Sequence, residues 1–162
     1  MSSVTNSKAR AVADLADGSI LASVEIAAPP ERVFRALSSK EIVEWWVRPG
    51  VFDTREWSGD VRVGGRWRAS GMVNGQPFVL EGEFLEVNPP RKLVHTWHRS
   101  GTPGAPTTVS YLLEKLDGGT RVTLRHVGFV PPEACSNAGA GWETSFARLA
   151  ELLAPALAKN SG

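Results

Sequence analysis

The sequence predicts an α+β domain in which an antiparallel sheet is backed by one long C-terminal helix. Three observations predict it. Apolar residues alternate with polar ones in successive short runs from Ser19 to His126, and short turn signals separate those runs. The period then changes to 3.6, with Trp142, Phe146, Leu149 and Leu153 at i, i+4, i+7 and i+11 on one helical face.

Taken in order, residues 1–18 are polar and Ala-rich and read as an N-terminal tail or loosely attached helix, and the domain itself as 19–158. Ile20, Ala22, Val24 and Ile26 mark the first half-buried strand. Pro29-Pro30 stops it, and proline suits the first turn of a helix carrying Val33, Phe34 and Leu37. Ser38 with Glu41 matches a capping box, opening a second short helix with Ile42, Trp45 and Trp46 that Pro49-Gly50 ends. After Gly64-Gly65, Trp67, Ala69, Gly71 and Val73 share one strand face. Asn74-Gly75 predicts a tight hairpin, because both turn positions need positive φ. Phe78, Leu80, Gly82 and Phe84 line the next strand, Leu93, His95 and Trp97 another, and Asn88-Pro89-Pro90 turns the chain between them. Beyond a loop at Gly101–Pro106, Val109, Tyr111 and Leu113 form a strand, Asp117-Gly118-Gly119 a turn, and Val122, Leu124 and His126 the final strand. Pro131-Pro132-Glu133 precedes the long helix, Cys135 falls in the loop before it, and Pro155 kinks or ends it. Arg66 and Arg68 flank Trp67 and belong on the outer, solvated face.

Composition narrows the function. With 162 residues, 42% hydrophobic and a net charge of +1, the chain can bury a full core but has no electrostatic bias toward nucleic acid or an anionic membrane. A single Cys135 excludes an internal disulfide and fits a reducing, cytoplasmic setting. No apolar run is long enough to span a bilayer, and no signal peptide opens the sequence. Phosphate-loop, nucleophile-elbow and zinc-protease motifs are absent, so no cofactor is expected. His95 and His98, three apart on a strand, point to opposite faces and cannot share a metal, so no metal site is expected either.

The run Trp45-Trp46, Pro49-Gly50 and Asp60-Val61-Arg62-Val63-Gly64-Gly65-Arg66-Trp67 is distinctive. It is followed by Gly82, Phe84, Glu86-Val87, Pro89-Pro90, Leu93-Val94 and Thr96-Trp97, and later by Gly119-Thr120 and Gly141-Trp142. Over about residues 19–155 this resembles the single-domain bacterial relatives of the C-terminal domain of the heat-shock protein 90 ATPase activator, within the START-like SRPBCC superfamily. The resemblance implies a helix-grip fold, with a seven-stranded antiparallel curved sheet, two short helices and a long C-terminal helix enclosing a cavity. It implies a hydrophobic or amphipathic small-molecule ligand, lipid-like or aromatic. A homodimer and a chaperone partner are compatible with it, although the activator's chaperone-binding N-terminal domain has no counterpart here.

Six Trp in 162 residues is a heavy aromatic load whose indole N–H groups need partners when buried. Trp67, Phe84, His95, Trp97, Tyr111, His126, Trp142 and Phe146 are predicted to point between sheet and helix as the wall of a ligand site, with Trp45 and Trp46 either at its mouth or packed in the core. No inward carboxylate is available to orient His95 or His126, so a hydrogen-bonded or ligand-orienting histidine is expected rather than a general base, and no catalytic residue is assigned. Asp60, Arg62, Gly64 and Gly65 are read as structural, through an ion pair or turn cap and close backbone approach. Two other readings stay open: the activator resemblance suggests a chaperone-linked interaction protein acting through its surface, and the superfamily resemblance a cyclase- or hydrolase-type enzyme using His95, Tyr111 or His126.

Overall fold

The structure, a computed structural model, describes residues 9–154. Among the described residues nine strands form one antiparallel sheet: β1 (Arg10–Asp14), β2 (Ser19–Ile26), β3 (Val47–Arg48), β4 (Phe52–Gly59), β5 (Arg66–Val73), β6 (Gln76–Asn88), β7 (Lys92–Arg99), β8 (Thr107–Leu116) and β9 (Gly119–Val127). The strand order is β1-β2-β9-β8-β7-β6-β5-β4-β3. Helices α1 (Pro30–Leu37) and α2 (Ile42–Trp45) bridge β2 to β3, and α3 (Cys135–Leu152) follows a 3-10 turn at Pro132–Ala134. The sheet curls far enough that α3 touches β1 and β2 at one edge and β3 at the other. This is the α+β helix-grip arrangement expected, with nine strands in place of seven.

Three strands have no counterpart in the sequence reading, β1, the two-residue β3 and β4, and over Arg10–Asp14 β1 corrects the reading as a tail or helix. It pairs with β2 in register from Arg10↔Ser23 to Asp14↔Ser19. Its inward residues are only Ala11 and Ala13, while Val12 faces solvent, so the usual apolar alternation is inverted and carries no strand signal. A turn follows it, in which Asp14 Oδ1 accepts from the amides of Ala16 (3.0 Å) and Asp17 (3.1 Å) and Gly18 takes φ +71°.

Local chemistry explains the other joints. Pro30 occupies the first turn of α1. The expected Ser38–Glu41 capping box does not form: the Ser38 hydroxyl donates to the Phe34 carbonyl, and the Ser39 hydroxyl accepts from the Glu41 amide. Glu41 instead receives Arg32 at 2.7 Å and Arg35 at 3.2 Å, tying α1 to the start of α2. The Thr120 hydroxyl donates to the Ala28 carbonyl, fixing the β2–α1 joint to β9. The Asn74-Gly75 hairpin forms with φ of 48° and 79°. Asp60 and Arg62 make an exposed ion pair at 2.6 Å. A Cβ at Gly65 would lie 1.9 Å from the Asp60 carbonyl oxygen, so only glycine allows that approach.

The predicted helical face of Trp142, Phe146, Leu149 and Leu153 is buried against the sheet. Cys135 is not in a loop: it opens α3, buried, with Sγ 3.5 Å from the Asp14 carbonyl oxygen. Pro155 lies outside the described residues.

Candidate functional site

A cavity of about 490 Å³ lies between the N-terminal half of α3 and the concave side of β3–β7. Its depth is formed by the buried Trp46, Thr54, Phe78, His126, Trp142 and Ser145, while Asn74, Arg99 and Asn137 are exposed at its mouth. Partly buried Val51, Phe52, Val73, Leu80, Trp97 and Phe129 supply most of the remaining wall, and Arg48 sits among them. The space exists because α3 presents small residues there, Ala138, Gly141 and Ser145, one helical turn apart. A Cβ at Gly141 would already lie 3.4 Å from Phe52 Cε1.

Of the ten residues expected at a ligand site, Trp46, Trp97, His126 and Trp142 line this cavity. Trp45, Trp67, Phe84, His95, Tyr111 and Phe146 do not, and this corrects the expectation that they form its wall: they make the solid aromatic core alongside it. Trp67, Phe84, His95, Tyr111 and Phe146 are buried on the inward face, as predicted, and large rings pack against one another there. Trp46 joins the two regions, with ring centroids 5.6 Å from Trp67, 4.8 Å from Trp97 and 6.2 Å from Trp142. Neither Trp45 nor Trp46 is at the mouth: both are buried, and Trp45 is pinned through Nε1 to the Ala36 carbonyl at 2.9 Å.

The polar groups of this aromatic cluster are fixed by donor–acceptor logic. The Trp142 indole N–H can only donate, and it reaches His126 Nδ1 at 3.0 Å. Nδ1 is therefore an acceptor, and the neutral ring carries its proton on Nε2. That proton faces Thr107 Oγ1 at 2.7 Å, and the threonine donates its own hydrogen to the Trp97 carbonyl at 3.1 Å. Burial, with the nearby His95 as a smaller contribution, lowers the His126 pKa to about 3. Both nitrogens are occupied, so His126 is a neutral wall residue and a poor base.

His95 Nδ1 lies 2.9 Å from the Thr96 carbonyl and must donate to it. Burial lowers its pKa to about 4, against the opposing effect of that hydrogen bond. The same carbonyl accepts the Trp67 indole N–H at 3.1 Å, while Thr96 Oγ1 accepts the Glu83 amide at 2.8 Å. The inward turn of the Thr96 carbonyl brings it against Gly82, where a Cβ would sit 2.0 Å from the oxygen. Among the described residues the buried Tyr111 hydroxyl and Trp46 Nε1 have no hydrogen-bond partner. Burial drives the Tyr111 phenol far above its usual pKa, and the neighbouring Trp46 N–H, too poorly placed for a hydrogen bond, opposes the rise.

The residues lining the cavity that sequence reasoning missed are chiefly those of β3, β4 and the start of α3. The one available signal was the run Ala138-Gly139-Ala140-Gly141: glycine inside a helix costs about 1 kcal/mol against alanine, and two of them ask for a spatial reason. Among the described residues no group of three or more His, Cys, Asp or Glu side chains is gathered as a metal site needs, and no helix is long and apolar enough to cross a membrane.

Comparison with known proteins decides the family. The model of the activator of Hsp90 ATPase homolog 1-like protein family matches residues 27–154. The chain belongs to that family. This AHSA1-type domain also shares its fold with several solved bacterial structures. A protein from Chromobacterium violaceum, CV1439, superposes with a TM-score of 0.74 at 29% identity, covering 85% of this chain and 98% of its own. Ms6760 from Mycobacterium smegmatis gives a TM-score of 0.75 at 20% identity, with 93% and 96% covered. A Rhodobacter sphaeroides protein gives 0.75 at 21% identity, with 90% and 97% covered. No curated protein matches the sequence significantly.

Proposed function

We propose that this AHSA1-type domain binds a hydrophobic or amphipathic small molecule, lipid-like or aromatic, in the cavity under the first half of α3. The observation that carries this reading is the 490 Å³ cavity itself, a volume within the range of sites that enclose small ligands (roughly 300–1,000 Å³). Its wall is mostly aromatic and aliphatic, so burial of ligand surface at about 25 cal/mol per Å² drives binding. The scattered polar groups of Thr54, Asn137 and Ser145 offer orientation rather than chemistry. No paired acid and base meet in the cavity, since His126 has both nitrogens engaged and neither His95 nor Tyr111 reaches it.

The test is native purification followed by solvent extraction, mass spectrometry of the extract, and titration of intrinsic Trp fluorescence with what is found. A stoichiometric amphiphile that quenches wild type but not a folded Gly141→Leu variant supports the reading, because that side chain projects from the α3 face lining the cavity. An empty protein with no Trp response to lipids or polycyclic aromatics refutes it. The family description favours a second reading, a chaperone-linked interaction through the surface. In that case chaperone binding survives Gly141→Leu unchanged.

A further inference from the structure

The cavity's charges are all of one sign. Among the described residues Arg48 and Arg99 are the formally charged ones that line it, and no aspartate or glutamate does. Arg48 comes from β3, half-buried in the wall, and Arg99 ends β7 at the mouth. Among the described residues neither guanidinium has a carboxylate within ion-pair distance, although seven other basic side chains do. The acids nearest in the ladder are turned elsewhere. Asp53, beside the Arg48 partner Phe52, takes Arg55 at 3.0 Å, and Glu81, beside the Arg99 partner Leu80, takes Arg66 at 3.7 Å. The described structure thus leaves two planar, permanently charged donors on a pocket that is otherwise uncharged and mostly apolar.

We infer that the ligand is an anionic amphiphile: a carboxylate or comparable oxyanion held by Arg48 and Arg99, with an apolar body passing inward over Phe78 to Trp46, Trp97 and Trp142. This rests on the cavity being the binding site. Guanidinium matches an oxyanion in two-point hydrogen bonding, and a site that keeps water from one side of the pair strengthens it. An anion there also meets no negative residue among those described in the wall, so no like-charge repulsion opposes its entry. A cationic amphiphile, by contrast, faces two unmatched positive charges.

The experiment compares decanoate with decanol, which share a chain and differ in charge, by Trp fluorescence titration of wild type, Arg48→Gln, Arg99→Gln and the double variant. The expected result is decanoate bound about tenfold or more tightly than decanol by wild type, and a loss of about tenfold or more for decanoate alone in the double variant. All variants should keep the wild-type melting temperature, because neither arginine has a described partner to lose. Equal binding of both probes, or equal losses for both in the double variant, overturns the anionic assignment while leaving the cavity reading intact. Binding of neither probe overturns the anionic assignment, and the cavity reading falls with it when polycyclic aromatics also leave the Trp fluorescence unchanged.

Discussion

Lowering the pH should unfold this protein through two buried histidines, and the structure sets the magnitude. His95 and His126 are held neutral in the folded state, with pKa values near 4 and 3 against 6.5 for an ordinary histidine. A group whose folded pKa is depressed contributes nothing adverse above its unfolded value. As pH falls below 6.5 the unfolded chain takes up protons that the native chain refuses, and stability drops until the folded pKa is reached. Each histidine removes about 1.4 kcal/mol per pH unit inside that window. By pH 5 the pair removes about 4 kcal/mol, a large share of the 5–15 kcal/mol typical of a domain. With a urea m-value of about 2 kcal/mol/M, the unfolding midpoint should fall by about 2 M between pH 8 and pH 5. Urea titrations followed by Trp fluorescence at half-unit pH steps measure this directly. His126→Gln, which keeps a donor and an acceptor but cannot titrate, should halve the slope. A wild-type midpoint that moves less than about 0.3 M over that range, or an unchanged slope in His126→Gln, would refute the reasoning.

Other substitutions probe the remaining features. Tyr111→Phe removes a buried hydroxyl that has no partner, so it should raise stability by about 1 kcal/mol in urea unfolding; a loss of that size means the hydroxyl is satisfied. Gly82→Ala forces a Cβ to within 2.0 Å of the Thr96 carbonyl oxygen and should cost about 3 kcal/mol or more, or prevent folding, whereas a variant of wild-type stability contradicts the inward turn of Thr96. Nitrogen-15 spectra should show His126 protonated on Nε2 and not Nδ1 at pH 7, and Trp142→Phe should lower stability by about 1–3 kcal/mol through loss of the Nδ1 hydrogen bond; an Nδ1-protonated ring would break the assigned network.

The sequence made the sheet and the long helix legible because each is written in a period of apolar residues, and the hairpin because Asn74-Gly75 suits its positive-φ turn. It hid β1 because Ala11 and Ala13 bury too little to show a pattern while Val12 faces out. The inward face of the aromatic strands was also legible: Trp67, Phe84, His95 and Tyr111 are buried where alternation put them, and Phe146 where the helical period put it. Periodicity says which side chains point inward, though, and not whether the space between them is full. Large rings fill space, and the cavity opens where α3 offers Ala138, Gly141 and Ser145 instead. Arg48 and Arg99 went unnoticed for the same reason, since nothing in spacing alone brings the end of β7 and the edge strand β3 to one pocket.

The tryptophans provide the most direct test of ligand binding under α3. Trp46, Trp97 and Trp142 line the cavity, whereas Trp45, Trp57 and Trp67 do not. A decanoate titration read on the six indole N–H resonances should shift the first three in a saturable way, with smaller changes in the others. Shifts confined to Trp45, Trp57 and Trp67, or no saturable shift at all, would contradict the assignment of this cavity as the binding site.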